Sequence, residues 1–197
     1  MTYVLNHYFL QDVITYEPII HGDDKGDFEA YVTAKINSYR NCSVSELCRQ
    51  FDIDISRKPK NLEAMIAFRI LGVMGNHAEE FEKANIVVKS IRIAANGKIK
   101  ESMSFPVFKF KELVEETWED STFGNYLRET RFFFVIYRFD AEGILRLWGC
   151  QFWNMPYDDL ENEVKSVWER TKQVIQDGLE FSIDSTGRYR NNFPKQS

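Results

Sequence analysis

Chemistry in this chain is confined to one short run. Glu79 and Glu80 precede Ile86-Val87-Val88-Lys89. An acid followed by acid-x-lysine at the end of a strand is a way to hold a hard cation. Two carboxylates bind Mg²⁺ and the lysine orients or activates the attacking water. On a strand, positions 87 and 89 share a face. Position 89 is the lysine, but position 87 is valine, which cannot ligate a cation. The pattern is a metal site without its central ligand. Glu79, Glu82 and Glu101 are the acids near enough in sequence to substitute.

Other catalytic constellations are missing from the sequence. Gly72-Val73-Met74-Gly75 has neither the spacing nor the Lys-Ser/Thr end of a phosphate-binding loop. There is no Gly-x-Ser-x-Gly elbow. His7, His21 and His77 are scattered, with no partner at catalytic spacing. Cys42, Cys48 and Cys150 are odd in number and irregular in spacing, so they read as reduced thiols rather than a disulfide framework.

Charge is distributed unevenly. The 197 residues carry 25 Lys and Arg against 30 Asp and Glu, so a uniformly basic coat is excluded. Yet from Lys83 to Lys111 seven basic residues face one acid, Glu101. From Asp140 to Glu180 nine acids face four basics, and the tail adds Arg188, Arg190 and Lys195. An acidic protein with a basic hairpin and tail can hold a polyanion on one face. A Lys-rich hairpin is also a common way to protect a sheet edge.

The elements that must position these residues follow from periodicity. Phe28, Tyr31, Val32, Ile36 and Tyr39 have helical spacing. Ser43-Val44-Ser45-Glu46 is a capping box that starts a helix running to about Phe51. Leu62, Met65, Ile66, Ile70 and Leu71 mark a third helix, ended near Gly72. Ile86 to Ile93 is β-branched and predicts a strand. Asn96-Gly97 predicts a hairpin, with Ile99 to Phe105 as return strand. Lys109 to Trp118 reads as a helix. Arg131 to Phe139 is apolar nearly throughout, like a strand covered on both faces. Asp140 to Gly143 is a turn before a strand from Ile144 to Trp153. The apolar positions from Leu160 to Ile175 trace one helix face, with Gly178 as its cap. The order predicts a mixed central sheet with helices packed on it. The chain reads as one domain: an N-terminal piece and loop over 1–27, a core over 28–193 and a short tail over 194–197. No window approaches 18 apolar residues, so no membrane helix is expected, and the start lacks a secretory signal. A cytoplasmic location is the expectation.

The run Glu79-Glu80-Phe81-Glu82-Lys83, Ile86-Val87-Val88-Lys89 and Lys100-Glu101-Ser102-Met103-Ser104-Phe105 resembles the MutH-like family of GATC-reading endonucleases. More closely, it resembles the C-terminal half of the two-domain type II restriction enzymes of the Sau-three-A kind. The likeness continues through Phe108-Lys109-Phe110-Lys111-Glu112-Leu113, Trp118-Glu119-Asp120-Ser121 and Glu129-Thr130-Arg131-Phe132. It is fainter at Leu47-Cys48 with Phe51, at Met155-Pro156 and at Arg190-Asn191-Asn192-Phe193.

The resemblance implies an α/β fold of the restriction-endonuclease-like (MutH-like) type. It places Glu80 at the first acid, Val87 at the motif Glu and Lys89 at the lysine. Phe68 or Arg69 falls where a further helix Glu would stand. Two of three carboxylates are thus replaced, and these positions are vestigial. In the two-domain enzymes such a second domain binds another copy of the DNA site as an allosteric effector. The expectation is therefore a catalytically degenerate domain that binds double-stranded DNA containing GATC. Its partner would be an N-terminal catalytic domain of the same natural chain, with Mg²⁺ needed by the full-length enzyme and no metal by this domain. Both ends are expected to continue in the natural chain. Lys89, Arg92, Lys98, Lys100, Ser102, Lys109, Lys111, Arg188 and Arg190 are the candidate DNA contacts. Two alternatives stand beside this reading: an active Mg²⁺-dependent GATC endonuclease, and a protein-interaction module docked on a catalytic domain.

Overall fold

A computed structural model describes residues 15–22, 26–56, 59–99 and 103–194. They fall into two compact units. One is drawn from Met1–Ser102 with Arg131–Trp153, the other from Met103–Thr130 with Asn154–Ser197.

The first unit is built on three strands: β1 (Ile86–Ile93), β2 (Arg131–Phe139) and β3 (Leu145–Trp153), in spatial order β1-β2-β3. β1 pairs parallel to β2 from Ile86 opposite Arg131 to Ile93 opposite Arg138. β2 pairs antiparallel to β3 across the tight turn at Asp140. Parallel neighbours need a long crossover, here the 37 residues 94–130. Among the described residues this unit has four helices: α1 (Phe28–Asn37), α2 (Val44–Gln50), α3 (Leu62–Leu71) and α4 (Glu79–Lys83). The architecture is a mixed sheet flanked by helices, compatible with a restriction-endonuclease-like fold.

Local chemistry sets the helix ends. Asp27 caps α1 by accepting from Ala30 N. Ser43 and Glu46 form the reciprocal capping box of α2. Gly72 closes α3 at φ 92°, a left-handed conformation that costs glycine little. The helices bury Val32, Ile36, Leu47, Ile66 and Leu71 against the sheet residues Phe133, Val135, Tyr137 and Leu147. Phe81 lies at the centre of an aromatic cluster, with ring centroids 5.6 Å from Phe133, 6.0 Å from Phe28 and 6.2 Å from Phe68. Each such side chain contributes roughly 1.5–3 kcal/mol by leaving water.

The second unit contains α5 (Phe110–Glu115), α6 (Thr122–Glu129) and a helical stretch of α7 (Tyr157–Asp159), a π-helical turn (Leu160–Val164) and α8 (Lys165–Asp177). A hairpin of β4 (Phe181–Ile183) and β5 (Tyr189–Asn191) follows. The Trp118 and Trp168 rings meet at 5.7 Å, tilted by 57°, and the Trp118 indole N–H donates to Glu161 at 2.8 Å.

The expected return strand differs. Asn96-Gly97 does turn the chain: Gly97 has φ 82° and Ala94 N donates to Lys98 O at 2.9 Å. Among the described residues, pairing then amounts to one bridge, Ile93 with Ile99; residues 100–102 of the expected strand lie outside the described residues, and 103–109 form no strand. Pro106 lacks a ladder donor, and Val107 is 98% exposed, so this stretch has no apolar face to bury. The helix expected over 109–118 is shorter, 110–115, and α4 and α6 were not foreseen. Both are under nine residues, too short for a clear period.

Candidate nucleic-acid interface

β1 carries the positions that would do chemistry. The parallel register sets Val87 beside Phe132, and Phe132 beside Trp153. Lys89 lies one row on, beside Phe134 and Gln151. On this face the Phe132 and Phe134 rings stack at 5.9 Å with an 8° angle, and Trp153 lies 5.6 Å from Phe134. Val87 thus belongs to an apolar row. Lys89 is half-buried, and burial pushes its ammonium below the usual lysine range.

Glu80, at the start of α4, is occupied by the main chain. Its two oxygens accept from Ile19 N at 2.9 and 3.0 Å and from Ile20 N at 2.9 Å. Ile19 is buried, so without the carboxylate its N–H would be left in the interior. Glu17 mirrors this contact. It accepts from Met74 N at 2.8 Å and from Gly75 N, and those main-chain donors hold its carboxyl below the usual range. Two carboxylates therefore clip residues 17–20 to residues 74–80. Phe68 is in the core, and Arg69 donates to the carbonyls of Val73 (2.8 Å) and Gly75 (3.2 Å). Glu79 pairs with Lys83, and Glu82 is exposed.

Val87 supplies no ligand atom, and Glu80 already accepts three hydrogen bonds. Among the described residues no three His, Cys, Asp or Glu side chains converge on one point. Glu101 lies outside the described residues.

The candidate DNA contacts have varied surroundings. Arg92 meets Glu63 of α3, with Nε donating at 2.8 Å and Nη2 at 2.7 Å from the same oxygen. The Glu63 side chain is 5% exposed and that of Arg92 38%. Tyr137 donates its phenol O–H to the Glu63 carbonyl at 2.8 Å, and burial first, then Glu63, pushes that phenol well up. Lys98 is exposed on the Asn96-Gly97 turn. Lys100 and Ser102 lie outside the described residues. In the second unit Lys109 is exposed and pairs with Glu112 at 2.7 Å, and Lys111 is exposed. Phe110 and Phe193 meet at 5.7 Å, so α5 lies against the tail. There Arg190 donates to Asp184 at 2.8 Å, and the Arg188 main-chain N–H donates to the other Asp184 oxygen at 3.1 Å. The Thr186 hydroxyl, the Arg188 N–H and Arg190 hold the Asp184 carboxyl down at about 2.

Sequence reading misses Glu17 and Glu63, whose partners lie 57 and 29 residues away, at separations no local pattern reports. It also passes over Arg40, Arg138 and Trp148. Each stands in a different element, with no motif around it.

A mixed sheet with helices on it and a lysine on the first strand defines a class, the restriction-endonuclease-like α/β proteins, with which this chain is compatible. Sequence comparison finds a particular relative. The chain is 35% identical over 189 residues to the type II restriction enzyme Sau3AI of Staphylococcus aureus, a match covering 86% of this chain and 38% of that enzyme. The chain thus spans well under half the length of that relative. No family model matches the chain. Among the described residues no helix is long and apolar enough to cross a membrane.

Proposed function

We propose that this chain is a catalytically degenerate, MutH-like domain that binds duplex DNA at GATC and acts as the allosteric effector of a type II restriction endonuclease. The observation that carries the reading is Val87 in the row of Phe132 and Trp153, within a chain related to a restriction enzyme. The position that would have to bind Mg²⁺ is apolar, and the acid before it is held by Ile19 and Ile20. What persists is a lysine-bearing strand and the Lys98 turn. Lysines on phosphates supply affinity, while base contacts supply sequence choice. The partners in this reading are GATC duplex and an N-terminal catalytic domain of the same cytoplasmic enzyme, whose Mg²⁺ this domain does not share.

Fluorescence anisotropy tests the reading. A short duplex carrying GATC and a scrambled control are titrated in Ca²⁺ across salt, then transferred to Mg²⁺. The expected result is preference for GATC with no cleavage. With about five phosphates neutralised, log K falls against log salt with a slope near −4.5. Equal weak binding to both duplexes would overturn the sequence-reading part. GATC cleavage lost in Lys89→Ala would replace the effector by an active nuclease.

A further inference from the structure

At the far end of the same sheet, two guanidinium groups lie on one indole ring. Arg40 Cζ is 4.7 Å from the Trp148 ring centroid and Arg138 Cζ is 5.3 Å away. Three local features bring them there. β2 and β3 slip register between Ile136 and Tyr137, so Trp148 is the extra residue of a β-bulge with no partner on β2. Bulges re-aim a side chain in this way, and Trp148 is left 40% exposed. Arg40 is placed because the chain after α1 is stitched to β3. Asn41 N donates to Leu147 O at 2.8 Å, Leu147 N to Cys42 O at 2.9 Å, and Arg146 Nη1 to Asn41 O at 3.1 Å. Arg138 sits on β2 opposite Arg146.

The charges here are not balanced as elsewhere. Arg146 is neutralised by Asp140 at 2.7 Å, with Glu46 at 3.9 Å and Glu142 nearby. Among the described residues neither Arg40 nor Arg138 has a carboxylate partner. Two like charges on one ring repel unless an anion joins them. Beside them is an open cleft of about 410 Å³ lined by Asn41, Ala95, Arg138 and Trp148 among others. Ala95 belongs to the turn that carries Lys98. Arg138 and the half-exposed Trp148 line the cleft, Arg40 is held on the same indole ring, and the one carboxylate in the lining, Asp140, is paired with Arg146. Guanidinium forks match phosphate oxygens, and stacking on an aromatic ring holds them in place.

We infer that Arg40, Arg138 and Trp148 form a phosphodiester-binding site, a second contact of the DNA backbone at the opposite end of β1 from Val87. This rests on the duplex-binding reading above. The site accepts a diester from any sequence, so it adds affinity and fixes register rather than choosing bases.

The test compares the 197-residue chain with Arg40→Gln/Arg138→Gln and with Arg49→Gln/Lys60→Gln, which removes the same formal charge from exposed positions on the same unit. Salt-dependent anisotropy is measured on GATC and scrambled duplexes. The Trp148 indole N–H resonance, assigned by its loss in Trp148→Phe, is followed as duplex or inorganic phosphate is added. The site variant is expected to flatten the salt slope by about 1.8, two contacts at about 0.9 each, on both duplexes, with the control moving it by much less. The Trp148 resonance is expected to shift with duplex. An equal loss of slope in both variants, or a silent Trp148, overturns the site and leaves the effector reading standing. A shift by inorganic phosphate at matched phosphate concentration makes it a free-anion site and overturns the diester assignment. A wild-type chain that binds neither duplex overturns the effector reading and this site with it. Unchanged melting temperatures and amide spectra in the variants show that none of these results comes from unfolding.

Discussion

The two ends of β1 use charge in opposite ways. At the N-terminal end every charged group near Val87 whose partners are described has a task within the fold. Glu80 holds Ile19 and Ile20, Glu17 holds Met74 and Gly75, and Arg69 holds two carbonyls. At the C-terminal end Arg40 and Arg138 lie on Trp148, and among the described residues neither meets a carboxylate. An ion satisfied by main-chain donors cannot leave to bind a cation without exposing those donors. A guanidinium stacked on an exposed ring has its orientation settled and its hydrogen bonds unspent. Glu80 thus has a structural task whatever motif it stands in, while Arg40 and Arg138 stand in no motif at all.

The comparison can be broken by removing the internally satisfied ions. The largest effect is expected from Glu63→Ala, which removes the nearly buried carboxylate that Arg92 meets on α3 and should cost about 2–3 kcal/mol in urea unfolding. That is below the 3–5 of a fully buried pair because Arg92 keeps partial contact with water. A cost under about 0.5 kcal/mol would mean that Arg92 is free to turn outward. Glu80→Ala should cost about 2 kcal/mol by leaving the Ile19 and Ile20 donors unpaired, with DNA affinity of the folded fraction unchanged. A selective loss of DNA binding would instead make Glu80 part of the interface. Smaller again is Tyr137→Phe, expected at about 1 kcal/mol for the lost bond to Glu63 O.

The second unit gives a pH test. The folded-state pKa of Asp184 is depressed, to about 2, so its ordering of the 184–190 turn is fully present above the unfolded value of about 3.9. That ordering is lost as pH falls through about 2. Amide shifts of Thr186 and Arg188 should therefore hold steady from pH 7 to about 3 and move with a midpoint near 2, and a midpoint near the unfolded value of about 3.9 would show that the Asp184 contacts do not form. The smallest effect sharpens the comparison most. Val87→Glu alone should restore no Mg²⁺-dependent cleavage of GATC plasmid, because Glu80 stays bound to Ile19 and Ile20. Cleavage by this variant would show that Glu80 can be released.

Much of the scaffold was legible along the chain. The Ser43-Glu46 box, the stop at Gly72, the limits of β1 at 86–93 and of β2 at 131–139 are all found as the residues suggest. That position 87 is a valine is likewise plain from the sequence. Less legible was the fate of the basic residues. Arg92 counts as one charge among seven in the sequence, but its partner Glu63 is 29 residues away on α3. Lys109 and Arg190 likewise meet Glu112 and Asp184. A run of positive charge is visible in sequence, but the acids that face it are not.

What the sequence determined by itself is what depends on a few neighbouring residues. Caps, turns, strand periodicity and the chemical nature of position 87 follow from backbone sterics and side-chain type within one or two turns of chain. The tertiary structure alone decided which long-range partners meet. It paired β1 along its whole length with β2, beyond the 37-residue crossover, and put Lys89 beside Phe134. It turned Glu80 onto a main chain 60 residues away. It brought Arg40 and Arg138, residues 98 positions apart in the chain, onto the one ring of Trp148. Those choices are made by packing and by the cost of burying unsatisfied donors and charges. Both are properties of the assembled core, and no local stretch of sequence carries them.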